Sequence, residues 1–180
     1  MTSRRALFLD RDGVINLDHG YVHEQTHFNF VDGIFDLVKY ANDLGYIVLV
    51  VTNQAGIGRG YYTEQDFKFL TKWMCDQFLA NGGRVEKVYY CSEHPDDGLG
   101  AYKRDSYFRK PGPGMIVAAA HDYKLDLPSS VLIGDKVTDI EAGIAAGVGR
   151  NILYSPGGAS THATNCSLTV GTLCQAKVYL

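Results

Sequence analysis

The sequence lacks a long apolar run, an excess of basic residues and closely spaced cysteine pairs. Its 180 residues include 17 Lys or Arg and 20 Asp or Glu, so the formal net charge is −3. This balance gives no sign of a nucleic-acid surface. No stretch reaches the roughly 20 apolar residues that a membrane-spanning helix needs, and the first apolar run leaves no room for a signal peptide. We therefore expect a cytoplasmic protein that binds neither nucleic acid nor a membrane.

The cysteines give no sign of a disulfide framework. The chain has four of them, and none belongs to a C-x-x-C pair. In a cytoplasmic protein we expect free thiols at Cys75, Cys91, Cys166 and Cys174. A chain of this length can bury a core without disulfides or structural metals, and we expect a single domain that spans residues 1–180.

Short apolar runs alternate with segments of helical periodicity along most of the chain. Runs typical of strands buried on both faces lie at residues 7–9, 46–51, 85–90, 130–135 and 151–154. The segments between them predict helices, and residues 63–66 resemble a capping box that opens a long one. This alternation predicts an α/β, Rossmann-like fold with a mainly parallel sheet and helices on both faces. The Gly-, Ser- and Thr-rich tail from residue 155 predicts no element.

Two carboxylates one residue apart, Asp10 and Asp12, follow the first predicted strand. Ligands in open α/β sheets bind beyond the carboxyl ends of the strands, which is where these side chains should emerge. In extended chain an Asp-x-Asp pair points to one side, and two like charges so close are costly unless a cation or substrate uses them. The alternative is an ordinary turn after a strand, since Asp and Gly are common turn residues.

Thr52 and Asn53 end the second predicted strand, and a glycine-rich segment follows at residues 55–60. Its Gly-x-Gly-x-Gly spacing differs from the G-x-G-x-x-G of dinucleotide sites. Backbone amides at a strand end, together with the Thr52 hydroxyl, would suit a phosphate instead.

Further charged residues should reach the same edge of the sheet. Asp135 and Asp139 follow the fourth predicted strand, and Lys110 precedes a predicted helix. Carboxylates can hold Mg²⁺, and a carboxylate can attack phosphorus. A lysine and a metal then stabilise the charge on the transferred group. The pattern predicts a magnesium-assisted phosphoryl transfer.

Two polar segments without periodicity are candidates for the walls of a pocket. Residues 16–24 leave the strand end that carries Asp10, so they either line a pocket there or form a solvated loop. Residues 91–114 form a long irregular segment, and such segments inside a compact domain are usually functional.

Four motifs in this order resemble those of the haloacid dehalogenase superfamily. They are Asp-x-Asp-Gly at residues 10–13, the threonine after strand two, Arg-Lys-Pro at residues 109–111 and Gly-Asp-x-x-x-Asp at residues 134–139. The resemblance implies that Asp10 is the nucleophile and a magnesium ligand. It implies that Asp12 is the general acid and then the general base, and that it binds magnesium through its backbone carbonyl. The remaining implied roles are phosphoryl binding by Thr52 and Lys110, magnesium binding by Asp135 and support of the acidic cluster by Asp139.

A narrower resemblance is to the D-glycero-D-manno-heptose 1,7-bisphosphate 7-phosphatase family, carried by residues 9–16, 18–22 and 52–60. It implies removal of the C7 phosphate from a small sugar bisphosphate, on the route to nucleotide-activated heptose for bacterial surface glycans such as lipopolysaccharide. It also implies the absence of a separate cap domain, and we expect a monomer. The implied substrate contacts are Asp18, His19, Gly20, Tyr21, Thr52, Asn53, Gln54, Ala55, Arg109, Lys110 and Lys136.

Other functions stay open from the sequence. Histidinol-phosphate phosphatases carry similar motifs, as do other small sugar-phosphate phosphatases. A non-catalytic binding module would not need a nucleophile with an acid two residues on.

The remote phosphate of a bisphosphate needs a second cationic site, for which the candidates are Arg59, Lys103, Arg104 and Arg109.

One departure from the family concerns zinc. The family's long loop usually carries Cys-x-His and Cys-x-Cys around a structural zinc, whereas this chain has Cys91 and His94 in Cys-Ser-Glu-His and no later cysteines in the loop. Structural zinc sites are almost always coordinated by four ligands. We therefore expect Mg²⁺ as the cofactor and no structural zinc, with Tyr102, Tyr107 and Phe108 packing to order the loop.

Overall fold

The computed structural model describes residues 4–157 and 168–180, and its centre is a parallel sheet of six strands. The strands, in chain order, are β1 (Ala6–Leu9), β2 (Ile47–Asn53), β3 (Lys87–Cys91), β4 (Val131–Gly134), β5 (Arg150–Tyr154) and β6 (Leu168–Val170). Their order across the sheet is β3-β2-β1-β4-β5-β6, so β1 lies between β2 and β4.

Helices cover both faces of the sheet, as the sequence predicts. They are α1 (Ile34–Asp43), α2 (Ala55–Gly58), α3 (Glu64–Ala80), α4 (Gly114–Tyr123), α5 (Val137–Ala146) and α6 (Leu173–Ala176). Three short 3₁₀ turns lie at Gln25–His27, Gly100–Tyr102 and Lys177–Tyr179.

The two faces of β1 belong to different hydrophobic clusters because successive side chains of a strand point to opposite sides. Leu7 and Leu9 pack in the cluster that includes residues of α1, α3 and α6. Ala6 and Phe8 pack in the cluster that includes residues of α4 and α5. The central strand is thereby buried on both faces, which fixes the position of the residues that follow it.

Several local predictions are confirmed. Thr63 Oγ1 accepts from the Asp66 backbone N–H at 3.1 Å, and Asp66 Oδ2 accepts from the Thr63 N–H at 2.8 Å, which forms the capping box of α3. Just past the end of α1, Gly45 has φ of 83°. Left-handed backbone of this kind favours glycine.

The end of the chain differs from the prediction. β6 and α6 were not expected, because a three-residue strand and a single helical turn carry too little periodicity to detect. Cys75, Cys91 and Cys174 are free thiols, whereas Cys166 lies outside the described residues. Across residues 4–157 and 168–180, no helix combines the length and apolar character needed to cross a bilayer.

Candidate active site

Three adjacent strand ends bring the predicted catalytic side chains together. Asp10 follows β1, Thr52 lies at the end of β2, and Asp135 follows β4. The Asp10 backbone N–H donates to the carbonyl of Ile133 at 3.1 Å, which extends the β1–β4 pairing to Asp10. Asp10 and Thr52 are buried, at 5% and 1% exposure.

Lys110 lies buried between two carboxylates. Its Nζ is 2.8 Å from Asp10 Oδ1 and 2.7 Å from Asp139 Oδ1, and it donates to the carbonyl of Val51 at 2.9 Å. Burial alone would lower the pKa of Lys110, but the charges of Asp10 and Asp139 raise it overall. The lysine is therefore a permanent positive charge beside Asp10.

Asn53 fixes the chain at Lys110. The Lys110 N–H donates to Asn53 Oδ1 at 3.0 Å, and Asn53 Nδ2 donates to the Lys110 carbonyl at 3.1 Å. This reciprocal pair ties the long irregular segment to the end of β2, so the position of Lys110 depends on a side chain far from it in sequence.

A cluster of three carboxylates could hold a divalent cation. Ligand oxygens of Asp10, Asp135 and Asp139 all lie within 4.8 Å of one another. Burial raises the pKa of Asp10 to about 8, with Lys110 opposing and the two other acids adding to the rise. Burial likewise raises the pKa of Asp135 to about 6. Carboxyl groups this close are costly as a set of charges without a cation.

Two observations at Asp135 fit a metal at this cluster. Its Oδ1 atom is buried without a hydrogen-bond partner. A Cβ at Gly13, whose φ is 96°, would lie only 2.2 Å from Asp135 Oδ2. Glycine at this position therefore lets the backbone that follows Asp12 come close to the Asp135 carboxylate. Oxygen ligands of this kind suit Mg²⁺, so the donor set fits the expected cofactor.

The Asp12 carboxylate is held on three sides. Arg11 Nη2 lies 2.8 Å from Oδ1 and 2.9 Å from Oδ2, Asn16 Nδ2 donates to Oδ1 at 3.0 Å, and Gln54 Nε2 donates to Oδ2 at 3.0 Å. Arg11 is only 1% exposed, and its guanidinium lies 6.0 Å from the ring centre of Phe28. The roles of Arg11 and Asn16 were missed from the sequence. The one available signal was their place in and just after the Asp-x-Asp motif.

A cavity of about 420 Å³ opens above these side chains. Residues 16–24 contribute to its wall, which decides for a pocket wall over a wholly solvated loop. Ten of the eleven predicted substrate contacts line it, and Tyr62, Thr138 and Asp139 do so as well. The predicted residues along the wall are Asp10, Asp12, Asp18, Gly20, Tyr21, Thr52, Asn53, Gln54, Ala55, Arg109, Lys110 and Lys136.

His19 does not line that cavity. Its Nε2 lies 3.2 Å from Asn29 Oδ1, and it lines a neighbouring hollow with residues of the same loop. Asp18, next to it, does face the cavity and pairs with Lys136 at 3.1 Å. Lys136 and the Gly20 N–H outweigh burial and lower the pKa of Asp18, so it stays ionised at neutral pH.

The cations suggested for a remote phosphate occupy different positions. Arg109 lines the cavity, is half-buried, and donates through Nη1 to the carbonyl of Glu93 at 3.2 Å. Arg59 pairs with Asp97 at 2.5 Å, and Arg104 pairs with Glu93. Among these residues and Lys103, only Arg109 is on the cavity wall.

Cys91 and His94, the two residues of the long loop that could ligate zinc, have other partners in the structure. Cys91 Sγ lies 3.3 Å from Glu93 Oε2, and Arg104 Nε donates to Glu93 Oε1 at 2.8 Å. His94 Nδ1 instead accepts from the backbone N–H groups of residues 96 and 97. Within the described residues the only grouped metal-ligating side chains are the three acids named above.

The expected aromatic packing of this loop is only partly correct. Tyr102 packs against the small cluster of Ile57, Tyr62 and Phe67. Tyr107 and Phe108 contact each other but are 58% and 47% exposed, so they contribute little burial. Polar contacts of Glu93 and backbone hydrogen bonds of the loop supply the other contacts within it.

The comparisons with known proteins agree with one another on the kind of protein that this chain resembles. A family model described as "HAD-hyrolase-like" matches residues 107–167. The chain is 57% identical to the D-glycero-alpha-D-manno-heptose-1,7-bisphosphate 7-phosphatase of Burkholderia mallei, covering 92% of this chain and 88% of that protein. It is 44% identical to the D-glycero-beta-D-manno-heptose-1,7-bisphosphate 7-phosphatase of Vibrio cholerae, over 93% and 90%.

A solved structure agrees with these sequence relatives. The fold is similar to that of the D,D-heptose 1,7-bisphosphate phosphatase of B. bronchiseptica, solved with magnesium and phosphate. The TM-score is 0.85 at 25% identity, and 97% of each chain is covered.

Proposed function

The chain belongs to the heptose 1,7-bisphosphate 7-phosphatases of the haloacid dehalogenase superfamily, and from that premise we propose that it removes the C7 phosphate of D-glycero-D-manno-heptose 1,7-bisphosphate. The observation that carries the proposal is the pairing of buried Lys110 with Asp10 at 2.8 Å, beside the Asp12 carboxylate at the floor of a polar cavity. A binding module would not need this arrangement, because a nucleophile and an acid serve only a reaction.

In the first step a carboxylate oxygen of Asp10 bonds to phosphorus as the bond from phosphorus to the C7 oxygen breaks. The leaving alkoxide takes a proton from Asp12, which is within the same cavity. The product of this step is an aspartyl phosphate on Asp10 and the dephosphorylated C7 hydroxyl.

In the second step Asp12 removes a proton from a water molecule that attacks the phosphorus. The bond to Asp10 breaks, inorganic phosphate leaves, and Asp10 and Asp12 return to their starting states. Asp12 acts as acid and then as base, so its contacts with Arg11, Asn16 and Gln54 serve both half-reactions by holding one orientation.

Thr52 and Lys110 bind the phosphoryl group during both steps. The Lys110 ammonium balances charge on the phosphoryl oxygens and on Asp10. Magnesium, held by Asp10, Asp135 and the backbone carbonyl of Asp12 with Asp139 in support, would supply further charge neutralisation on the phosphoryl oxygens.

The sugar and its second phosphate would occupy the outer part of the cavity. Asp18 can accept hydrogen bonds from sugar hydroxyls, and Arg109 and Lys136 supply positive charge on the wall. We place the remote phosphate at Arg109. The relative with 57% identity carries the alpha anomer in its name and the one with 44% the beta anomer, so we propose the alpha anomer as the preferred substrate.

The test is a comparison of kcat/KM for purified protein with magnesium. The substrates are the two heptose 1,7-bisphosphate anomers, the corresponding 7-monophosphate and histidinol phosphate. The proposal predicts the highest value for a bisphosphate, with the alpha anomer ahead of the beta. A preference for histidinol phosphate would contradict it and would favour the alternative phosphatase.

We also propose that the loop from Cys91 to Arg109 is held without zinc. Glu93 joins Cys91, Arg104 and Ser106 through its carboxylate, and the positive charge of Arg104 opposes a cation there. Elemental analysis of protein purified without chelators should find far less than one zinc per chain. About one zinc per chain, lost in Cys91→Ser together with stability, would contradict this.

Two further proposals concern the protein in solution. We expect a monomer, which sedimentation velocity can check. We also expect a cytoplasmic enzyme that contributes to nucleotide-activated heptose for bacterial surface glycans, and cell fractionation can check its location. A stable dimer at micromolar concentration or a periplasmic location would contradict them.

A further inference from the structure

The Gln54 side chain connects two residues of the proposed mechanism. It is only 1% exposed. Its Nε2 group donates to Asp12 Oδ2 at 3.0 Å and to Thr52 Oγ1 at 2.9 Å. An amide nitrogen has two hydrogens, so both are used by these two partners.

The orientation of this amide is set by Tyr62. The Tyr62 hydroxyl donates to Gln54 Oε1 at 2.5 Å, and the tyrosine is only 6% exposed. Burial raises the pKa of Tyr62 to about 12, so the hydroxyl keeps its proton as a donor. An amide turned over by half a rotation would instead place Oε1 against the Asp12 carboxylate, where two acceptors face each other.

The Tyr62 ring is itself held in place. A Cβ at Gly56 would lie 2.2 Å from Tyr62 Cε1, so glycine at that position lets the ring pack against α2. On another side the ring stacks with His23, at 4.9 Å between centres and 7° between planes. The hydroxyl therefore has little freedom to leave Gln54.

We propose that Tyr62 is a positioning residue that acts through Gln54 on both Asp12 and Thr52. The proposal rests on the phosphatase function proposed above. Gln54 occupies a lone pair of Thr52 Oγ1, so the threonine's single O–H is left to donate to a phosphoryl oxygen in the cavity. Through Nε2 the same amide holds Asp12 Oδ2 in place for proton transfer to the leaving group. One tyrosine hydroxyl thus orients a phosphoryl-binding residue and the acid–base residue together.

The main test is a double-mutant cycle on kcat, with Tyr62→Phe, Gln54→Met and the combined variant. Methionine is close to glutamine in length but donates no hydrogen bond. Tyr62→Phe should lower kcat by a factor of about 5–30, the effect of losing one buried hydrogen bond, with KM changed less than kcat. In the Gln54→Met background the same change should alter kcat less than about twofold. Tyr46→Phe is the matched control, because Tyr46 is buried at 4% exposure just before β2, at the opposite end of that strand.

The outcomes separate this inference from the proposed function. An equal loss from Tyr62→Phe in both backgrounds would show that Tyr62 acts directly or only through stability, and would overturn the proposal. Full kcat in Gln54→Met would overturn it even if Tyr62→Phe failed to fold. Wild-type protein without activity toward any phosphate ester would contradict the proposed function itself, and this inference would fall with it.

A second readout does not depend on activity. The side-chain NH₂ signals of Gln54 in ¹H–¹⁵N spectra are identified by their loss in Gln54→Met. They should shift in Tyr62→Phe and stay in place in Tyr46→Phe. Signals unmoved by Tyr62→Phe would show that the hydroxyl does not orient the amide.

Discussion

The Nζ atom of Lys110 lies 2.8 Å from Oδ1 of Asp10, and both side chains are buried. The same ammonium is 2.7 Å from Asp139 Oδ1, and Asp135 belongs to the same cluster. Lys110 therefore contacts two of the three carboxyl groups, and the third, Asp135, has Lys136 Nζ at 3.9 Å from its Oδ2. Burial is the main cause of the raised pKa of Asp10, and the neighbouring carboxyl groups add to the rise. Three carboxyl groups this close also suit a divalent cation.

Asp10→Asn should abolish turnover and leave the protein folded. Asparagine keeps the shape of the side chain but cannot attack phosphorus as a carboxylate does. Phosphate release and thermal unfolding are measured together, with Asp36→Asn on the exposed surface of α1 as the control. Substantial steady-state activity in the purified variant would contradict the role of Asp10 as the nucleophile.

Asp12→Asn should lower the rate for sugar phosphates by a factor of about 10²–10⁴, the usual contribution of general acid–base catalysis. The loss in formation of the phosphoenzyme should be smaller for aryl phosphates, because their leaving groups need less protonation. Single-turnover rates for both substrate types measure the difference. Equal losses would show that Asp12 does not protonate the leaving group.

Magnesium should stabilise the protein more at pH 8 than at pH 5. The pKa values of Asp10 and Asp135 are raised from 3.8 to about 8 and about 6 by burial. The metal-free folded protein thus holds protons that the unfolded chain has released, and its stability falls as pH rises from roughly 4 to 8.

Bound magnesium opposes this loss because it favours the ionised carboxylates. Melting temperatures with chelator and with excess magnesium at the two pH values give the comparison. Asp10→Asn should reduce the difference. Equal magnesium shifts at pH 5 and pH 8 in the wild type would contradict the assignment.

Arg109→Ala should weaken the use of the bisphosphate more than that of the 7-monophosphate of the same sugar. A charge-assisted hydrogen bond to the remote phosphate contributes about 1.5–3 kcal/mol. The ratio of the two kcat/KM values is compared with that of Lys103→Ala, an exposed cation off the cavity wall. Equal losses for both substrates would indicate that Arg109 contacts the reacting phosphate or has only a structural role.

The sequence predicts the parts of the site that depend on topology. Asp10, Thr52 and Asp135 follow buried apolar runs, and the parallel sheet brings such positions to one edge. The sequence also predicts Lys110 at this edge, from its place before a predicted helix, and the structure explains its position by the reciprocal bonds with Asn53.

The contacts between individual side chains could not be predicted from the sequence. Arg11 is buried with its guanidinium on Asp12, and the Tyr62 hydroxyl donates to Gln54. No periodic pattern in the sequence indicates either contact. The family resemblance predicts His19 as a substrate contact together with its loop neighbours, but its Nε2 lies 3.2 Å from Asn29 Oδ1 and the residue is off the wall of the main cavity. Such details depend on the packing of each side chain, which local patterns do not encode.

The most direct measurement follows ³¹P NMR spectra of D-glycero-D-manno-heptose 1,7-bisphosphate during turnover by the wild-type protein with magnesium. We expect the C7 phosphomonoester signal to disappear, inorganic phosphate to appear in equal amount, and the phosphate at C1 to remain. Loss of the C1 phosphate, or no release of phosphate from either position, would contradict this expectation.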